Sequence, residues 1–305
     1  MTAVAHAQRT VCSGFCLAVQ RATLPANNND ELCGEPMTVC VGAICEGGKA
    51  VVVSADRMMT YGPPMNLQAE GAVRKIFQLT PQCVMLFSGS VPDGEEVFSR
   101  TKAGVIATLH PDVKTIATTA GGVYIAHKKR RAEEAILRPF LGIDFAGFQA
   151  LAAQSASSQV MAQVLGLLSQ HNLGLDIMIA GVDADGAHLH VVSHPGTVMS
   201  MDTVGTVSIG SGGMHASIRM SLARHKSTSS LAQALHNVYE AKLASEVAPG
   251  VGKVTDVAVI NGGGIKFVED GIIQVLQEIH KDRPSLDTAE VEKLAEKCKG
   301  YQHAS

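Results

Sequence analysis

The chain is 305 residues long, with 46% hydrophobic residues, 17% charged residues and a net charge of −3 at pH 7. This composition predicts a compact chain that buries a core, as one large domain or two small ones. The weak negative charge gives no electrostatic reason to expect nucleic acid as a partner. Apolar runs stay well below the roughly 20 residues of a membrane-spanning helix, so we expect no membrane partner either.

The seven cysteines form an odd set without the paired spacing that is typical of zinc sites. Cys40, Cys45 and Cys83 lie within apolar runs, as small core residues of a reducing compartment do. Cys12 and Cys16 have a C-x3-C spacing, which is only a weak metal signal. We expect no metal and no cofactor. Because the N-terminus lacks the layout of a secretory signal, we expect a cytoplasmic location.

The first part of the chain differs from the rest. The run from Leu24 to Pro36, LPANNNDELCGEP, is polar and rich in turn-forming residues, which predicts a linker or a disordered arm. Regular patterning begins at Thr38. We therefore divide the chain into an extension (1–37), a folded domain (38–283) and a polar helical tail (284–305).

The first regular segments are β-rich and come in pairs. Residues 38–45 and 50–55 are joined by the turn at 46–49, and a second pair follows at 72–79 and 83–89. The first pair is apolar at both strand parities, which indicates a sheet that is covered on both faces.

Helical and strand patterns then alternate in blocks. A helix is predicted after Gly89, another at 127–140 and more helix at 146–170, followed by a strand hairpin at 176–182 and 187–193. The remaining predicted elements are a short strand near 204–209, helices at 214–224 and 229–247, a strand at 255–260, a hairpin through 262–264, a short helix, and a polar helix near 287–299. Helices grouped between antiparallel hairpins predict a layered α+β domain.

Specific motifs resemble a known family. The run TVCVGAICEGGKAVVVSADRMMTYG from Thr38 resembles the opening of proteasome β subunits and of the peptidase of the bacterial two-component ATP-dependent protease. The next elements of that resemblance are the V-x-K pattern at Val73 to Lys75, Ser88-Gly89 fourteen residues after Lys75, and IGSGG at 209–213. Four motifs occur in the family's order, and the resemblance covers about residues 37–265. It implies the N-terminal nucleophile (Ntn) hydrolase fold, an α+β four-layer αββα sandwich with antiparallel sheets flanked by helices.

The resemblance also implies a threonine-type peptidase. A threonine hydroxyl is a weak nucleophile that needs a nearby base, and the α-amine of a first residue can be that base. By resemblance, Thr38 is the nucleophile. Asp56 orients Lys75, which lowers the pKa of the amine. The backbone N–H of Gly89 stabilises the oxyanion and Ser211 relays the proton, so that peptide bonds are hydrolysed through an acyl-enzyme.

The sequence departs from the family at two places. Thr38 follows Met37 rather than a glycine, and we hypothesise that translation begins at Met37, whose removal exposes Thr38. The family also has an aspartate and a serine behind the threonine, where this chain has Ala248 and Val251. Glu246 is the candidate substitute carboxylate if the turn is rearranged. We therefore expect reduced or specialised peptidase activity.

Partners follow from the same resemblance. It implies a self-compartmentalising oligomer, a ring or helical assembly of identical or related subunits, that acts on peptide and protein substrates. An ATP-dependent unfoldase is expected by family analogy alone. Two alternatives stay open: a non-catalytic structural subunit in which residues 1–36 cover Thr38, and an Ntn hydrolase that cleaves small amides.

Three histidines share one strand parity, namely His188, His190 and His194. Such spacing can hold a metal, but no acidic residue or cysteine is evidently placed beside them. We therefore interpret them as a polar sheet face or a subunit surface.

Overall fold

The computed structural model describes residues 38–61, 67–71, 74–108, 111–155 and 159–281. The predicted extension (1–37), the polar tail (284–305) with its predicted helix near 287–299, and Val73 of the V-x-K pattern lie outside the described residues.

The first sheet is antiparallel and contains the opening hairpin. Its strands, in spatial order, are β10 (Thr206–Ile209), β1 (Cys40–Cys45), β2 (Ala50–Asp56), β11 (Thr255–Asn261) and β12 (Gly264–Phe267). In the hairpin, Cys40 pairs with Ala55 and Cys45 with Ala50. Every residue of β1 and β2 is buried, as expected for a sheet covered on both faces.

The second sheet lies against the first. Its strands, in spatial order, are β5 (Ile76–Thr80), β6 (Cys83–Ser88), β7 (Asp176–Asp183), β8 (Gly186–Ser193) and β9 (Thr197–Ser200). A separate ribbon pairs β3 (Met58–Tyr61) with β4 (Leu67–Glu70). The sequence did not predict β3, β4 or β9, which are all four-residue strands with little pattern to detect.

Helices cover the outer faces of both sheets. The described helices are α1 (Val91–Ile106), α2 (Val113–Ala132), α3 (Arg138–Leu141), α4 (Phe145–Ser155), α5 (Gln159–Gln170), α6 (Gly213–Leu222), α7 (Leu231–Ala244) and α8 (Asp270–Lys281). A π-helical turn, Glu133–Leu137, connects α2 to α3, and a 3-10 turn, Ser245–Val247, follows α7.

Apolar side chains fill the spaces between successive layers. One cluster joins the two sheets and includes Val53 of β2 and Leu189 of β8. A second joins the second sheet to α1 and α2, and a third joins the first sheet to α6 and α7. The order helix, sheet, sheet, helix confirms the predicted α+β four-layer αββα sandwich.

Local boundaries differ from the prediction at two places. The helix predicted at 127–140 begins at Val113, where Asp112 caps it by accepting a 2.6 Å hydrogen bond from Thr115 N–H. The first part of α2 is rich in threonine and glycine, which are weak helix formers, so the sequence did not predict it as helix. Burial of Ile116 and Tyr124 against the second sheet stabilises it. The strand predicted at 72–79 is extended only from Ile76.

No single helix among the described residues is long and apolar enough to cross a membrane. One bent pair, Val113–Leu141 with Phe145–Gln154, meets the criterion by length and composition alone.

Candidate active site

Two neighbouring strands and the opposite sheet bring three polar side chains together. Thr38 immediately precedes β1 and Asp56 ends β2, so the antiparallel hairpin places them side by side. Lys75 immediately precedes β5 on the second sheet and reaches across to them. Thr38, Asp56 and Lys75 are 3%, 0% and 7% exposed, so all three polar groups interact away from bulk solvent.

The three side chains form a closed hydrogen-bonded set. Lys75 Nζ donates to Asp56 Oδ1 across 2.8 Å and also donates to the Thr38 hydroxyl. The Thr38 hydroxyl in turn donates to Asp56 Oδ1. An ammonium that donates to a threonine oxygen stabilises the alkoxide form, which is the chemistry that an activated nucleophile needs.

Backbone N–H groups fix the orientation of the Asp56 carboxylate. Its Oδ2 accepts from Gly252 at 2.8 Å and from Met58 at 3.2 Å, and its Oδ1 accepts from Val39 at 3.3 Å. Because both carboxylate oxygens accept hydrogen bonds, Asp56 cannot rotate away from Lys75 without breaking several of them. Asp56 is therefore placed to fix the position of the Lys75 ammonium.

Ser211 lies on the backbone side of Thr38. The N–H of Thr38 donates to Ser211 Oγ across 3.3 Å. Ser211 Oγ also lies 3.3 Å from the carbonyl oxygen of Pro249 and 3.4 Å from that of Thr38, which accept its hydroxyl proton. A serine that accepts from one group and donates to another can pass a proton between them.

A glycine makes this approach sterically feasible. Gly210 has a φ of +92°, and a Cβ there would lie 2.2 Å from the carbonyl oxygen of Thr38. Any side chain would therefore push the Ser211 loop away from Thr38.

Gly89 follows β6 with a φ of +113°. A Cβ at this position would lie 1.9 Å from the carbonyl oxygen of Gly174, so both the conformation and the space require glycine. Its predicted part as an oxyanion donor stays a prediction.

Cys40 is the other nucleophilic side chain next to this set. Burial raises the pKa of its thiol to about 12, with Lys75 opposing the shift and Asp56 adding to it. The thiol therefore stays protonated near neutral pH, and a protonated thiol is a poor nucleophile. Cys40, Cys45 and Cys83 are all buried free thiols.

The family model for proteasome subunits matches residues 38–109, the part of the chain that contains Thr38, Asp56, Lys75 and Gly89. No curated protein matches the chain significantly. Over these residues the chain is similar to proteasome subunits. The match begins at Thr38, and together with the αββα sandwich it identifies the fold as the proteasome type.

Not every residue that the sequence singled out joins the site of this proteasome-like chain. Glu246, the candidate substitute carboxylate, forms an ion pair with Lys242, whose Nζ lies 2.6 Å from Glu246 Oε1 and 2.8 Å from the carbonyl oxygen of Lys253. Ala248 and Val251 pack into the apolar cluster between the first sheet and its helices. In the described part of the chain, no hydrogen bond joins Glu246 to Thr38.

Sequence reasoning missed the groups that surround Asp56. Gly252 belongs to the run Pro249–Gly252, which signals only the end of a helix, and a backbone N–H leaves no trace in side-chain patterns. Arg57, which follows Asp56 directly, donates to Asp256 through two nitrogens, Nε at 2.8 Å and a terminal nitrogen at 2.5 Å.

Proposed function

We propose that the chain is a threonine-type peptidase of the proteasome-like family, with Thr38 as its nucleophile. The observation that supports this most directly is the Thr38 hydroxyl, held between the ammonium of Lys75 and the carboxylate of Asp56. A solvated surface lysine would give no such arrangement, because its ammonium would be bound to water.

The reaction begins with proton transfer from Thr38 Oγ1 to a free α-amine on the same residue. The oxygen then attacks the carbonyl carbon of a peptide bond, and the resulting oxyanion is stabilised by the N–H of Gly89. Collapse of this intermediate breaks the C–N bond, and the proton passes to the leaving amine, with Ser211 as the relay. Water then hydrolyses the ester, which releases the second product and restores Thr38.

This reaction requires Thr38 to be the first residue. In the printed chain its nitrogen belongs to the peptide bond with Met37 and is not basic. We propose that the mature protein begins at Thr38, either because residues 1–37 are removed or because translation begins at Met37.

Assembly is part of the proposal. Proteasome subunits generally form oligomers with related subunits, and a closed assembly would confine Thr38 so that only unfolded chains reach it. We propose a cytoplasmic oligomer of this chain, alone or with related subunits. Peptide and protein substrates enter it, and an ATP-dependent unfoldase is a proposed partner.

The test is hydrolysis of fluorogenic peptides by protein expressed from Met37, with the mature N-terminus read by intact-mass spectrometry. We expect activity with Thr38 first, retained activity in Thr38→Ser, and loss of at least about a hundredfold in Thr38→Ala. The full-length chain is the matched control and should be inactive while Met37 precedes Thr38. Equal rates for Thr38→Ala and the parent would overturn the proposal.

A non-catalytic subunit is the second candidate, and the apolar pair Ala248 and Val251 favours it. Both are less than 10% exposed, at 7% and 8%, where the family resemblance places a polar pair behind the threonine. This candidate predicts that the protein with Thr38 first is folded, assembles and stays inactive toward both peptides and small amides.

A further inference from the structure

A cluster of ionisable side chains lies far from Thr38, on the helix-facing side of the second sheet. His188 and His190 are two residues apart on β8, so both side chains project from the same face of the sheet, about 7 Å apart along the strand. Asp202 follows β9 and continues its register, in which His190 pairs with Ser200. Because Ala187 N–H donates to Gly48 O across 2.8 Å, this cluster lies at the end of the sandwich opposite Thr38.

His188 is held between two carboxylates. Its Nδ1 lies 2.8 Å from Asp202 Oδ2 and its Nε2 lies 3.0 Å from Asp183 Oδ1. Burial alone would lower the pKa of this imidazole, but the hydrogen bond to Asp202 and the nearby charges of both carboxylates raise it. The sequence prediction that no acidic residue stands beside these histidines was therefore wrong, because Asp183 at the end of β7 and Asp202 in the turn after β9 supply the carboxylates.

His190 has no such partner. Its side chain is 4% exposed, and neither ring nitrogen has a hydrogen-bond partner among the described residues. Burial, as the main cause, lowers the pKa of this ring, so it is neutral and offers a lone pair. A buried polar atom left unpaired is destabilising, and a ligand would offset that cost.

We propose that His188, His190 and Asp202 bind a divalent metal ion, with zinc as the best fit. One donor atom from each residue lies within 4.8 Å of the other two. Donor atoms around a tetrahedral zinc are about 3.4 Å apart, so modest rotation of the side chains closes the site. Two imidazoles and one carboxylate suit zinc better than the all-oxygen preference of calcium or magnesium.

The surrounding contacts orient the ligands. Asp183 Oδ1 accepts the proton of His188 Nε2, which leaves Nδ1 for the metal, as carboxylates commonly do behind a ligating histidine. Asp202 Oδ1 accepts from Leu189 N–H at 2.7 Å, which leaves Oδ2 for the metal. Val113 N–H, at the start of α2, holds Asp183 Oδ2 at 2.9 Å. Binding releases the proton shared between His188 and Asp202, and the metal takes its place.

The charges balance when the metal is bound. The dication and two neutral imidazoles are matched by the carboxylates of Asp183 and Asp202. Lys114 is the nearby cation, and its charge acts on His190. The metal would tie β7, β8 and the turn after β9 together, a structural site that is independent of peptidase activity.

The test is zinc titration by calorimetry on the full chain after chelator treatment, compared with His190→Leu and Asp202→Asn. His190→Leu removes no hydrogen bond and should fold, and Asp202→Asn keeps the acceptor for Leu189 N–H. His194→Gln is the matched control, because His194 shares the parity but is exposed and lies outside the cluster.

We expect one equivalent of zinc that raises the Tm of the parent and of His194→Gln. It should be lost, or weakened at least about a hundredfold, in the other two variants. Cobalt substitution should give a visible spectrum of nitrogen and oxygen ligands. The proposal is overturned if the parent binds no zinc, if His190→Leu keeps every equivalent, or if the cobalt spectrum shows thiolate ligands, which would place the metal on cysteines.

Discussion

Lys75 Nζ lies 2.8 Å from Asp56 Oδ1, although the two residues belong to different sheets of the sandwich. Their side chains are 9% and 0% exposed, so the pair is shielded from water and salt. An ion pair in such a place is costly to break, since each partner alone would be a buried and uncompensated charge. Stability and the proposed catalysis therefore depend on the same contact.

Replacing Lys75 with methionine should affect both properties. The variant keeps the length of the side chain but leaves Asp56 unpaired, so we expect the free energy of unfolding to fall by roughly 3 kcal/mol. Peptide hydrolysis by the protein that begins at Thr38 should fall at least about a hundredfold. Urea denaturation and initial rates measure the two effects.

Arg74→Met is the matched control for this prediction. Arg74 is the neighbouring cation, but it is 51% exposed and 3.6 Å from Asp256, so its removal should change stability by less than about 1 kcal/mol. If both variants behave alike, Lys75 has no special role.

Gly89→Ala should destabilise the protein strongly. The positive φ is unfavourable for alanine, and the new Cβ would meet Gly174 O at 1.9 Å, so we expect a loss of at least about 2 kcal/mol. Gly122→Ala is the control in the exposed interior of α2, where no atom lies within 4 Å of the new Cβ. It should stabilise the protein by about 0.5–1 kcal/mol in the same urea titration. Equal effects would contradict the observed backbone conformation.

Glu246→Gln should lower stability without lowering activity. Lys242 is fully buried, and burial lowers the pKa of its ammonium while Glu246 opposes that shift. Without Glu246 the buried cation keeps the Lys253 carbonyl but loses its charge partner, and we expect a loss of about 2 kcal/mol. The double variant Lys242→Met, Glu246→Gln should recover part of it. A collapse of peptide hydrolysis with unchanged stability would instead make Glu246 the missing carboxylate.

The carboxylates around His188 should make stability depend on pH. The folded pKa of His188 is raised above its ordinary 6.5, so its contribution is complete below that value and is lost as the pH rises through the folded pKa. His188→Gln should therefore cost more stability at about pH 6 than at about pH 9 in chelator-treated protein.

His194→Gln should show the opposite pH dependence of stability. Partial desolvation and the charge of Lys128 lower the pKa of His194, so its contribution to stability is present above 6.5 and is lost as the pH falls. The small loss of stability caused by His194→Gln should therefore be larger at high pH than at low pH. Urea midpoints for both variants across the pH range measure the two trends, and the same sign in both would contradict the assignment.

The sequence by itself determined the layered α+β fold and most hairpins. Continuous apolar runs such as β1 and β2, broken by a glycine turn, have few structural solutions, because burial on both faces requires a covered sheet. The motifs around Thr38, Lys75 and Gly89 also carried the family resemblance, since the spacing of glycines and charged residues is visible in the residue order.

Only the tertiary structure decided which groups meet. The hydrogen bond from Gly252 N–H to Asp56 and the contact of Lys242 with the Lys253 carbonyl depend on how the loop after α7 folds back, and no local pattern encodes that path. The same holds for Asp183 and Asp202 beside His188, because the end of β7 and the turn after β9 supply them. Strand periodicity places side chains on a face, but contacts between distant segments arise only when packing fixes the register of whole sheets.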